Sequence, residues 1–107
     1  MPKYLIQVVY TPEAWTTMIK NPQDRIAAVR PAIESVGGKI DDGYLSFGEY
    51  DLVAIAEFPD NVAAASFSLA STSGGALKAF KTTPLLTLAE AQDAMKKAGT
   101  VKYDAPK

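Results

Sequence analysis

The side chains best placed to do chemistry gather around one short segment, Gly48-Glu49-Tyr50-Asp51. Asp51, or the Tyr50 hydroxyl, would give a polar handle on a ligand if either sits at the mouth of a cavity. Both residues also suit a structural part, with Asp51 tying down a hairpin backbone and Tyr50 packing as a half-buried strand aromatic. Glu57 follows Asp51 by six residues on the same strand parity. That spacing separates the two carboxylates by roughly 20 Å and excludes a paired acid–base site within one strand. Glu57 could instead meet Gln7 from a neighbouring strand, since both interrupt apolar faces. A buried glutamate with a raised pKa beside a glutamine would serve as a general base, whereas a glutamate at a strand end more often sits in solvent or pairs with a lysine.

Tyr44 belongs to a set of aromatics with Tyr4, Tyr10, Trp15, Phe47, Phe58, Phe67 and Phe80 that would line an apolar pocket or simply fill a core. The candidate ligand-binding residues are therefore Gln7, Tyr44, Tyr50, Asp51 and Glu57, with no catalytic residue singled out. Arg25, Arg30, Lys78 and Lys81 could receive an anion, although scattered bases usually form a solvated face. Ser71-Thr72-Ser73-Gly74-Gly75 has the small residues of a phosphate cradle but follows a helix instead of opening one, so it reads as a helix stop and turn.

The chain has neither cysteine nor histidine. Disulfides, thiolate nucleophiles, iron–sulfur clusters and Cys-ligated zinc are thereby excluded, and so are the commonest general base and proton switch. No segment has calcium-loop spacing, and no metal or cofactor is expected. The net charge is −1 with interspersed signs, which offers no basic stripe for nucleic acid. The apolar runs are too short for a membrane span, and Met1-Pro2-Lys3 lacks the layout of a signal peptide, so a cytoplasmic protein is expected.

These side chains must be positioned by a single domain, expected over residues 1–99, with a loose tail at 100–107. Lys3 to Tyr10 reads as a strand with apolar residues on both parities, interrupted only by Gln7. Thr11-Pro12-Glu13 opens a short helix that Asn21-Pro22 stops. A second helix is expected from Pro22 to Val36, kinked at Pro31 and ended by Gly37-Gly38. A strand over Lys39–Phe47, irregular near Asp41-Asp42-Gly43, leads through Gly48-Glu49 into a strand over Tyr50–Phe58. On that second strand Tyr50, Leu52, Ala54, Ala56 and Phe58 share one parity, and Asp51, Val53, Ile55 and Glu57 the other. Pro59-Asp60 opens a helix to Ser73 whose many small residues let it lie close to a sheet. Ala76–Thr83 reads as a fourth strand with Leu77, Ala79 and Lys81 on one side. Thr87-Leu88-Ala89-Glu90 is a capping box for a last helix ending near Gly99.

The order βαββαβ with a following helix predicts an α+β, ferredoxin-like fold on a four-stranded antiparallel sheet. In that topology the first and third strands are central, and those are the two strands apolar on both parities. Two crossover helices cover only one sheet face, which leaves an apolar face that the last helix, a ligand or a second subunit must cover. A homodimer closing two sheets into an α+β barrel is the expected solution. The shared topology with RNA-recognition modules is set aside because Gly48-Glu49-Tyr50-Asp51 places acids where such modules carry bases.

The chain resembles the GYD domain family in five features in order: Met1-Pro2-Lys3-Tyr4, Lys20-Asn21-Pro22, Gly37-Gly38-Lys39, Gly48-Glu49-Tyr50-Asp51 and Pro59-Asp60. The resemblance covers about residues 1–98 and implies a ferredoxin-like domain of the dimeric α+β barrel group. The family is generally undescribed in function, and similar architectures include cofactor-free monooxygenases, stress-responsive barrel proteins and effector-binding modules. The expected function is binding of an apolar or amphipathic small molecule without catalysis. The alternatives are a cofactor-independent enzyme using Tyr, Asp or Glu, and a purely structural interaction module.

Overall fold

The computed structural model describes all 107 residues. The elements are β1 (Lys3–Tyr10), α1 (Pro12–Lys20), α2 (Arg25–Ser35), β2 (Lys39–Leu45), β3 (Leu52–Glu57), α3 (Asn61–Ser73), β4 (Leu77–Leu85) and α4 (Leu88–Ala98). The four strands form one antiparallel sheet in the order β2-β3-β1-β4. That is the expected ferredoxin-like βαββαβ arrangement with a C-terminal helix, and β1 and β3 are central in it.

Each helix starts on a side chain that satisfies an orphan backbone donor. Thr11, Asp24, Asp60 and Thr87 accept from the N–H groups of Ala14, Ala27, Ala63 and Glu90. The Asp24 cap explains why α2 begins three residues later than the proline at 22 suggests. Residues 22–24 form the connection, and the helix then runs through Pro31 to Ser35. Gly37 takes the left-handed conformation, φ +83°, that ends the helix. Gly38 must be glycine for a different reason: a Cβ there would lie 2.7 Å from the Glu57 carbonyl oxygen and 2.8 Å from Phe58 Cδ1.

The core lies between the sheet and α1–α3. Tyr4, Ile6, Val8 and Tyr10 of β1 and Leu52, Ala54 and Ala56 of β3 alternate inward, joined by Phe58, Ile33, Ile40, Ala64 and Phe67. Phe58 is fully enclosed and meets Tyr4 edge-on, with ring centroids 5.5 Å apart. The small residues of α3 do bring it close, since the Ser68 hydroxyl lies 2.7 Å from the Thr82 hydroxyl on β4.

Two irregularities overturn the simple parities of the sequence. The β1–β4 register shifts between Val9 and Tyr10, so Tyr10 pairs with Leu77 while Val9 pairs with Ala79. The extra residue, Lys78, places Leu77 on the core side with Phe80 and not with Ala79 and Lys81. The chain also turns at Tyr50-Asp51 before β3 begins, so Tyr50 does not share the face of Leu52, nor Asp51 that of Val53.

The opposite sheet face carries Leu5, Gln7 and Val9 of β1 with Val53, Ile55 and Glu57 of β3, all half-buried. The last helix does not cover it. α4 is exposed along its length apart from Ala91 and packs against none of the other elements to any extent. The radius of gyration is accordingly 17.0 Å, against about 13 Å for a compact chain of this length.

Candidate ligand-binding site

Three of the five candidate side chains come together in one row across the open sheet face. Tyr44 pairs with Val53, Val53 with Gln7, and Gln7 with Lys81, so all four project from the same face. Lys81 Nζ donates to the Tyr50 hydroxyl at 3.1 Å and stands 5.7 Å from the centre of its ring. The contact with that hydroxyl raises the Lys81 pKa. Tyr44 is exposed, and the Asp42 carboxylate beside its hydroxyl raises its pKa. This row crosses an apolar patch of Leu5, Val9, Val53 and Ile55, with Gln7 between Leu5 and Val9.

Glu57 stands elsewhere. It pairs with Lys3, four residues from Gln7 along β1, about 13 Å away. The two side chains therefore do not meet, and a glutamate–glutamine base is not assembled. Glu57 Oε2 lies 3.2 Å from Lys39 Nζ and 3.7 Å from Lys3 Nζ. Asp41 completes this cluster with both lysines, and the Lys3 ammonium that donates to it is the main cause of its lowered pKa. The charges alternate and neutralise one another, an edge-of-sheet network and not an unpaired acid.

Asp51 turns to the helix side. Its Oδ2 accepts from the Tyr10 backbone N–H at 2.9 Å and from the Trp15 indole Nε1–H at 3.2 Å. One carboxylate thereby joins the turn before β3, the end of β1 and the first turns of α1. Tyr10 and Trp15 stack edge-on at 5.5 Å above it.

That end of the fold holds a cavity that no single sequence motif announces. It lies between the sheet and the helices, has a volume of about 460 Å³, and is walled mainly by apolar side chains. Ile6, Val8, Leu52 and Ala54 form its floor, and Met18, Ile26, Val29, Phe67, Leu77 and Phe80 its sides. Thr17, Gln23, Ala70, Gly74 and Ala76 are exposed and mark its rim. The space exists because α2 is held over β2 and α3 over β4, while the small residues Ala70, Ser71 and Gly74 at the end of α3 leave room beside them. Tyr10 is the buried polar side chain of the wall, and Arg25 and Ser71 are half-buried. Burial raises the Tyr10 pKa, and the nearby Arg25 guanidinium pulls against that rise. The aromatics Tyr10, Phe67 and Phe80, expected in a pocket or a core, serve as both here.

Fold and cavity together define an α+β domain with a ferredoxin-like sheet and an apolar chamber beneath its helices. The sequence matches the GYD domain family over residues 4–95, and the chain belongs to that family. No curated protein and no solved structure matches it significantly. No helix is long and apolar enough to cross a membrane.

Proposed function

We propose that this GYD domain is a homodimeric binding protein for apolar or amphipathic small molecules. The observation that carries the reading is the cavity of about 460 Å³ between helices and sheet. Its size lies within the roughly 300–1,000 Å³ of small-molecule pockets, and its wall has their character, mostly apolar with a few polar groups near the rim. Its exposed rim gives a ligand a way in, and its apolar wall is surface that an apolar occupant would remove from water.

The subunit contact belongs to the open sheet face. Leu5, Val9, Val53 and Ile55 lie there on the two central strands with nothing above them, while α4 projects from the body. A second copy laid on that face buries the patch and gives α4 a surface to pack on. The row Tyr44, Gln7, Lys81 and Tyr50 then falls within or beside the contact, where it either fixes the register of the two sheets or faces a ligand held between them.

The test is calorimetric titration of the full chain with 1-octanol, a neutral apolar probe. A dissociation constant in the range of about 1 μM to 1 mM is expected, the scale that burial of an eight-carbon chain supports. Ala70→Trp, which places an indole at the exposed rim, should weaken binding about tenfold while leaving the melting temperature nearly unchanged. Absence of binding, or binding indifferent to Ala70→Trp, would refute the cavity as the site.

A further inference from the structure

We propose that the cavity is selective for monoanionic amphiphiles, an apolar body ending in a carboxylate, with Arg25 as the residue that receives the carboxylate. The inference rests on the cavity being a ligand site and goes further by naming the class of ligand.

Arg25 is the one charged side chain in the cavity wall. It is half-buried, and it takes no part in the ion pairs of the protein, which involve only Lys3, Lys39, Asp41 and Glu57. Its Nη1 donates to the neutral Gln23 Oε1 at 2.9 Å, and the guanidinium also approaches the Tyr10 hydroxyl. A guanidinium has five donors in a planar fork matched to a carboxylate, so most of that capacity is unused. Partial burial of an unpaired charge is costly. Here the guanidinium stands at the rim of an apolar chamber, where its contact with Gln23 is open to solvent and no anion answers its charge.

Helix stability does not account for the position. Arg25 is the first residue of α2, where the helix dipole disfavours a cation. The acid that does favour that end, Asp24, spends Oδ1 on the Ala27 N–H at 3.1 Å as the cap. The Tyr10 hydroxyl lies close to the guanidinium, which donates towards its oxygen, and Tyr10 lines the same cavity with its own O–H as a further donor. The other acid near this end, Asp51, is engaged by Tyr10 N–H and Trp15 Nε1–H. The single Arg25 guanidinium balances one negative charge, which favours a carboxylate over a phosphate dianion. The long axis of the ligand then follows from the wall: the anionic head at Arg25 and Tyr10, and the apolar body over Ile6, Val8, Leu52 and Ala54.

Calorimetric titrations of octanoate, 1-octanol, octyl phosphate and octylammonium against the full chain near pH 7 test this. Octanoate should bind tightest and octylammonium weakest. Arg25→Met, which keeps the apolar stem, should weaken octanoate about tenfold or more, the scale of one charge-assisted hydrogen bond, and leave 1-octanol within about twofold. Arg25→Lys should restore part of the loss, and Tyr10→Phe should cost octanoate a smaller factor. Equal binding of octanoate and 1-octanol, or equal weakening of both by Arg25→Met, would overturn the assignment and leave the apolar site standing. Tighter binding of octyl phosphate than of octanoate would overturn the carboxylate. Failure of every probe, 1-octanol included, would remove the site and the inference with it.

Discussion

Oδ2 of Asp51 accepts from two donors that belong to different elements, the Tyr10 amide and the Trp15 indole. Replacing Asp51 with alanine strands both half-buried donors. Asp51→Ala should therefore cost about 2–3 kcal/mol in urea unfolding, more than a typical neutral hydrogen bond, because unsatisfied donors carry their desolvation penalty. Asp51→Asn keeps an acceptor oxygen and should cost about half as much. Trp15 is the single tryptophan, so its fluorescence in the folded state should shift in both variants and report the local loosening directly. The sequence made Asp51 legible as a backbone tie near a hairpin. It could not show the Trp15 partner, 36 residues earlier in the chain, because nothing in local spacing encodes a contact made by folding α1 back over the end of β1. Arg25 was legible only as one of four scattered bases. Its meaning comes from what lies beneath it, and that is a property of packing.

At the scale of elements, the helix starts were the most readable features, since a cap residue and its N–H partner sit three positions apart in the chain. The Thr87–Glu90 capping box was visible in the same way, and both of its reciprocal bonds are present. α4 leans on this device more than the other helices do, because an eleven-residue helix that packs on little else is marginal by itself. Thr87→Ala should destabilise α4 by about 1 kcal/mol, seen as faster hydrogen exchange of its amides with little change in those of β1 and β3. The cap also sets a pH dependence. Hydrogen bonds from Thr87 lower the Glu90 pKa in the folded helix. A lowered folded value stabilises above the ordinary glutamate range and loses that contribution as pH falls through it. Protection factors of the α4 amides, taken against their intrinsic exchange rates, should therefore fall below about pH 4.5, and Glu90→Gln should remove that fall. The strand parities were less legible. One bulge residue, Lys78, and one turn, Tyr50-Asp51, each reverse a face, and a period of two gives no warning of an inserted residue.

The whole molecule was read correctly in topology because the doubly apolar strands could only be the central ones. The place of the chamber, between helices and sheet, is not legible in the sequence, since an empty space leaves no residue to mark it. The open face makes a prediction at this scale. Ile55→Lys puts a charge at the centre of the patch while pointing away from the core, so it should leave the fold intact. Sedimentation should show a dimer for the natural chain and a monomer for the variant, with unchanged secondary structure by circular dichroism. A monomer for both would assign the patch to another partner and refute the homodimer.

The two outer strands give that association its direction. β4 carries Pro84, which has no N–H to offer, and Lys78 and Lys81 further along the same strand, and β2 is irregular between Ile40 and Asp42 beside a pair of acids. Such strands are poor templates for pairing with another chain. A growing ribbon of sheets is thus blocked at both of its ends, which leaves the apolar face between them as the surface for the proposed contact. In the proposed homodimer, two copies stacked face to face would therefore have no free sheet edge to extend, and assembly would end at two without any separate signal to stop it.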